Sequence, residues 1–255
     1  MPLLAAPGRA QSYLVASRSP RYSILFALPL LLAYEGLALL LPVRQTQGVR
    51  NGAEVILRSI FDAAVGAWGA AAFGAVMLGV AAYLVIRDIK ANGAPDRGSI
   101  YVMMMLESIV LAAVFAVTAS LLTQRVLGAL HLSLAAAPVF AAIDAPTRFM
   151  VSLGAGIFEE LLFRVVLVSA LIGLSRVILG AGPRVSAAVA VVLSAFIFSA
   201  FHYIGPFGDT LALPSFLFRT IAGLLFSLIY VLRGFGIVAW THALYDVGLL
   251  LLAGQ

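Results

Sequence analysis

Residues 147–173 read TRFMVSLGAGIFEELLFRVVLVSALIG. As a helix, this run is long enough to cross a hydrocarbon core of about 30 Å. Its middle nevertheless holds Glu159, Glu160 and Arg164. A charge at the bilayer centre costs roughly 2.5–3.5 kcal/mol on insertion scales, and such groups face a bundle interior or a water-filled cavity. A chain that keeps three of them in one span therefore needs other helices packed around that span.

The rest of the sequence supplies those helices. Of 255 residues, 63% are hydrophobic and only 11% are charged, too little polar surface for a soluble domain of this size. Working outward from 147–173, apolar runs recur at about 22–41, 64–86, 99–123, 185–203, 213–232 and 235–253. The fold class is all-α, a polytopic transmembrane helical bundle of about seven to eight spans. The eighth is the stretch 126–146, apolar but interrupted by His131, Pro138, Asp144 and Pro146, which reads as a short or re-entrant segment. Residues 49–63 carry Arg50, Glu54, Arg58 and Asp62 at helical spacing, the pattern of an interfacial helix leading into the second span. The stretch RDIKANGAPDRG (87–98) reads as a loop and GPFGD (205–209) as a turn. No repeat divides the chain, so residues 1–255 are expected to form one membrane-embedded domain with its functional core at about 147–253.

The formal net charge is +5, but the basic residues stand at the ends of apolar runs, where they report topology rather than nucleic-acid binding. Their distribution favours a cytoplasmic amino terminus, which with seven spans puts Glu159, His202 and Asp246 nearer the outer side. The first apolar run is too long for a signal peptide and lacks its cleavage pattern, so it reads as a retained span. There is no cysteine, which excludes disulfides, Cys-ligated zinc and thiol nucleophiles.

Glu160 and Arg164 lie four residues apart, acid first, on one helix face, the arrangement of an internal ion pair that lowers the cost of burying both. Glu159 points about 100° away on an ideal helix. It needs another partner, either a neighbouring helix or a reaction, and a desolvated carboxyl suits acid–base work near neutral pH. His202 in FSAFH (198–202) and His242 with Asp246 in THALYD (241–246) add titratable groups from two further spans. A single membrane histidine reads as a helix–helix hydrogen bond. A carboxylate with two imidazoles from three spans is the set expected to activate a water and stabilise an oxyanion. Glu35 and Glu107 have no partner at a recognisable spacing and read as structural.

Taken together, the segments Glu159-Glu160-xxx-Arg164, Phe198-xxx-His202 and His242-xxx-Asp246 resemble, in order, the motifs of the CAAX-protease and bacteriocin-processing family of intramembrane proteases. The resemblance covers about 150–250. It implies an endopeptidase that cleaves a membrane-anchored or lipidated protein or peptide, with the bilayer and that substrate as partners. Glu159 and His202 would activate the attacking water, His242 and residue 246 would stabilise the oxyanion, and Glu160, Arg164 and Phe198 would brace the site. Where the commoner pattern has asparagine this chain has Asp246, which either is protonated or orients His242, because an ionised carboxylate cannot donate. No cofactor is implied; a divalent metal such as zinc, were one present, would take Glu159, His202 and His242 as a His₂Glu set, although HExxH is absent. The implied location is a multi-pass protein of a bacterial or archaeal cytoplasmic membrane. Two other readings stand beside this one: a proton-coupled transporter using the same buried acids and histidines as a relay, and a catalytically silent immunity or scaffold protein.

Overall fold

The computed structural model describes residues 13–42, 49–92, 97–131, 144–205 and 208–253. All regular structure in them is helical. A single turn, α1 (Tyr13–Ala16), leads into α2 (Pro20–Leu40), which has proline in its first turn, where a missing N–H costs nothing. Then come α3 (Gly52–Val65), α4 (Gly69–Asn92) and α5 (Gly98–Ala129), followed by a long α6 (Ala145–Leu179). The carboxy-terminal half closes with α7 (Pro183–Phe201), α8 (Leu213–Arg233) and α9 (Phe235–Ala253). Among the described residues seven helical stretches are long and apolar enough to cross a membrane, so the chain is an integral, multi-pass membrane protein.

The expected spans are present with small shifts at their ends, and two expectations need correction. The stretch 87–98 is not all loop, because α4 continues through Asn92 before α5 starts at Gly98. The stretch 49–63 is helical from Gly52 onward, but α3 does not run straight on into the second span. Gly66 sits at φ +60, in the left-handed region that favours glycine, and breaks the helix. The chain folds back so that the rings of Phe61 and Phe73 meet at 5.6 Å. The question of an eighth segment falls on 132–143, outside the described residues.

α9 is the central helix, packed against α2, α5, α6 and α8. Its residues Ile237, Val238, Ala239 and Ala243 are buried, and they join three apolar clusters into one interior. Leu30, Tyr34 and Phe158 pack on one side of it, Tyr22, Phe26 and Met104 near its start, and Phe115 and Phe226 on the far side. Large apolar side chains such as Leu39, Leu106 and Val177 point outward, as expected where the surroundings are lipid rather than water.

Two of the glutamates away from the centre are paired with arginines. Glu107 on α5 binds Arg233 at the end of α8 and accepts from the Tyr13 hydroxyl, while Arg233 also reaches Ser17 Oγ at 2.9 Å. Burial, reinforced by the Glu107 carboxylate, pushes the Tyr13 phenol up to about 12, so it remains a neutral donor. Glu35 binds Arg50 at 2.9 Å and lies 3.8 Å from Arg58. Both glutamates that lacked a partner at recognisable spacing therefore have arginines supplied by the fold.

Candidate active site

Glu159 and Glu160 sit where α6 departs from α-helical winding. Residues Ala155–Glu159 and Leu161–Leu167 form π-helical stretches on either side of Glu160. Such turns are rare and recur at functional sites. Small residues bring the neighbours close. A Cβ on Gly156 would run into the Ala239 carbonyl and lie 2.8 Å from Ala243 Cβ, so α6 and α9 touch nearly backbone to backbone here.

The two carboxylates serve different partners. Glu160 is fully buried, with Oε1 2.7 Å from His242 Nδ1 and Oε2 3.1 Å from Arg164 Nε. A carboxylate only accepts, so Nδ1 is the donor, and that bond sets the orientation of the ring. Arg164 lies over the faces of Phe198 at 4.6 Å and Phe226 at 5.5 Å. Aromatic faces on one side, the Glu160 carboxylate on the other and the Gly223 carbonyl 3.5 Å from Nη2 offset part of the cost of taking the guanidinium out of water. Phe226 also stacks on the His242 ring at 4.2 Å, backed by Phe115 at 4.0 Å. The second nitrogen, His242 Nε2, stands 3.6 Å from Asp246 Oδ2.

Glu159 points elsewhere. Its Oε1 accepts from Asn51 Nδ2 at 3.0 Å, and its Oε2 faces His202 Nε2 at 3.9 Å. His202 Nδ1 is 2.8 Å from the carbonyl of Phe198, one turn earlier on α7. A carbonyl cannot donate, so Nδ1 carries the hydrogen, and in the neutral form of the ring Nε2 presents its lone pair to Glu159. The histidine of the FxxxH segment thus has its tautomer set by the backbone of the phenylalanine. The phenylalanine ring meanwhile covers Arg164.

The residues after α7 pack back on His202. The backbone N–H of Asp209 donates to the carbonyl of His202 at 2.9 Å, and Asp209 pairs with Arg219, which lies over the Tyr203 ring. Exposure differs across the site. Glu159 and His242 are 7% and 4% exposed, whereas the side chains of His202 and Asp246 reach 22% and 28%.

Glu159, Glu160, Arg164, Phe198, His202, His242 and Asp246 are thus brought together from α6, α7 and α9. Asn51 escaped the sequence reading. It is the N-cap of α3, its Oδ1 accepting from the N–H groups of Ala53 at 2.9 Å and Glu54 at 3.4 Å. The signal was present as Asn-Gly-Ala-Glu ahead of an amphipathic run, a cap residue with glutamate three positions on. That pattern marks a helix start and says nothing of a partner 108 residues away. Among the described residues, no group of three or more carboxylate or imidazole side chains stands where one metal ion could be held.

A family model matches residues 141–248, that of the type II CAAX prenyl endopeptidases, Rce1-like. No curated protein and no solved structure matches the chain significantly.

Proposed function

We propose that the chain hydrolyses a peptide bond in a membrane-anchored or lipidated protein segment, with Glu159 and His202 activating the attacking water. The match of residues 141–248 to the type II CAAX prenyl endopeptidase, Rce1-like, family model supports this reading. The observation that carries this reading is the pair of acceptors, Glu159 Oε2 and His202 Nε2, facing each other at 3.9 Å. That separation is too long for a direct hydrogen bond. It suits a water that donates one hydrogen to each group, which leaves the water's oxygen lone pairs free to attack a carbonyl.

The steps balance on these residues. As the water oxygen bonds to the carbonyl carbon, its proton passes to Glu159. The developing oxyanion needs a donor, and His242 supplies Nε2–H when both ring nitrogens are protonated. Glu160 holds the other nitrogen, and Asp246 balances the imidazolium charge. When the intermediate collapses, the carbon–nitrogen bond breaks and the proton taken from water goes to the leaving amine. Asp246 acts through His242 in this scheme, which removes the need for it to donate. No step in this scheme uses a metal.

His202 and Asp246 are the more exposed members of the site, in a bundle whose helices carry large apolar side chains on their outer faces. This favours a substrate that is already held at the bilayer, such as a lipidated carboxy-terminal tail or a membrane-bound precursor. The test is cleavage of such tails by the protein reconstituted in lipid, wild type against Glu159→Gln, with and without chelator. Cleavage that survives the chelator and is lost in Glu159→Gln is the expected result. Equal cleavage by both proteins would overturn the assignment.

A further inference from the structure

We infer that Asn51 is a positioning residue for Glu159, brought to the site from outside the matched segment 141–248 by the start of α3. The inference rests on the endopeptidase reading above and adds a residue to it.

The geometry constrains Asn51 at three atoms. Its Oδ1 is committed to the first turn of α3 by two backbone N–H groups. An amide with its oxygen so engaged has to aim its NH₂ the other way, and Nδ2 then meets Glu159 Oε1 at 3.0 Å. The backbone N–H of Asn51 donates to the Tyr34 hydroxyl at 3.1 Å, and that hydroxyl in turn donates to Glu54. Glu54 is fully buried and is held by Arg58 at 2.7 Å and Arg50 at 3.4 Å. The start of α3 is therefore clamped to α2 by a charged network before its cap residue reaches across to α6. Both Asn51 and Glu159 are out of solvent, Asn51 at 2% exposure, so water does not compete for the bond.

The consequence lies in how Glu159 is turned. A carboxylate with two equivalent oxygens and one fixed donor cannot rotate freely. With Oε1 occupied by Asn51, Oε2 is the atom left to face His202. A donated hydrogen bond also favours the ionised carboxylate, the form that accepts a proton from water.

Asn51→Asp separates this role from the capping role. Aspartate is as good an N-cap as asparagine, so the α3 start is kept, but its second oxygen has no hydrogen to give to Glu159. It also sets a like charge beside Glu159, so Asn51→Ser, a cap without charge, is measured alongside to separate the lost donor from repulsion. The test uses full-length protein in lipid and two readouts. Isotope-edited infrared spectra, with the Glu159 carboxylate band assigned by its loss in Glu159→Gln, are expected to show that band displaced or lost in Asn51→Asp. Turnover of a tail substrate is expected to fall about ten- to a hundredfold in kcat with KM little changed, the effect of losing a hydrogen bond to a charged group. Should Asn51→Asp fail to fold, Asn51→Ser, which also caps, carries the same two measurements. A Glu159 band and a kcat both indifferent to the Asn51 variants would overturn the inference. Because the infrared arm needs no substrate, a wild-type protein that cleaves nothing while its Glu159 band still depends on Asn51 defeats the endopeptidase reading and supports the Asn51 contact.

Discussion

Glu160 Oε1 lies 2.7 Å from His242 Nδ1 while its other oxygen lies 3.1 Å from Arg164, so one buried carboxylate ties a histidine on α9 to an arginine on its own helix. Removing it leaves the Arg164 guanidinium in the interior without its counter-charge. Glu160→Ala is therefore expected to destabilise the protein by about 3–5 kcal/mol. Glu159→Gln keeps an acceptor for Asn51 and strands no fixed charge. It is expected to melt close to wild type while losing activity by at least about a hundredfold. Thermal unfolding in detergent beside a cleavage assay checks the contrast between adjacent residues; equal destabilisation by both would refute it.

Gly156 is expected to tolerate no side chain. A methyl group there meets the Ala239 carbonyl and Ala243, and relief requires α6 to move off α9 by a fraction of an ångström. Overpacking of this kind costs about 1–3 kcal/mol. The same movement stretches the Glu160–His242 bond, so Gly156→Ala should lose more activity than its melting temperature alone accounts for. Kinetics measured well below the melting transition separate the two effects.

Asp246→Asn is expected to keep cleavage within about tenfold of wild type, about 1.4 kcal/mol. The amide retains a polar contact with His242 Nε2 and adds a donor of its own. Asp246→Leu has neither and is expected to lose about a hundredfold or more, as when an oxyanion donor is removed. A kcat for Asp246→Asn as low as that of the leucine variant would mean that the negative charge itself is required.

Chelation is expected to leave the rate unchanged. His202 and His242 each have one ring nitrogen committed, to the Phe198 carbonyl and to Glu160, and their remaining nitrogens do not converge with Glu159 on one point. Cleavage rates in EDTA, restored or not by added zinc, measure this directly. Loss on chelation with recovery on zinc would overturn the metal-free scheme.

Much of this site was legible in the sequence because membrane burial makes charge conspicuous. Glu159, Glu160, Arg164, His202, His242 and Asp246 stand out in apolar runs, and the i, i+4 spacing already paired Glu160 with Arg164. Three features were not legible. The π-winding of α6 leaves no compositional trace, since the same apolar residues fit an α-helix. The second partner of Glu160 is on another helix, so spacing could show Arg164 but not His242. The fold-back at Gly66 depends on one positive φ, and glycine is common enough in membrane helices to pass unnoticed. Asn51 combines these difficulties: its cap signal was local, whereas its contact with Glu159 depends on how distant helices pack.

The Tyr34–Glu54–Asn51 chain also bears on how portable this chemistry is. A segment spanning 141–248 carries both histidines and both glutamates of the site, yet it lacks the donor that holds Glu159 and the arginines that anchor that donor. Grafted into another membrane bundle, the segment would bring its reactive groups without the amino-terminal brace that aims one of them. A functional transplant therefore has to include α2 and the opening turn of α3. On the proposed reading, α2 and the start of α3 would then serve the reaction by holding Glu159 as well as by crossing the membrane.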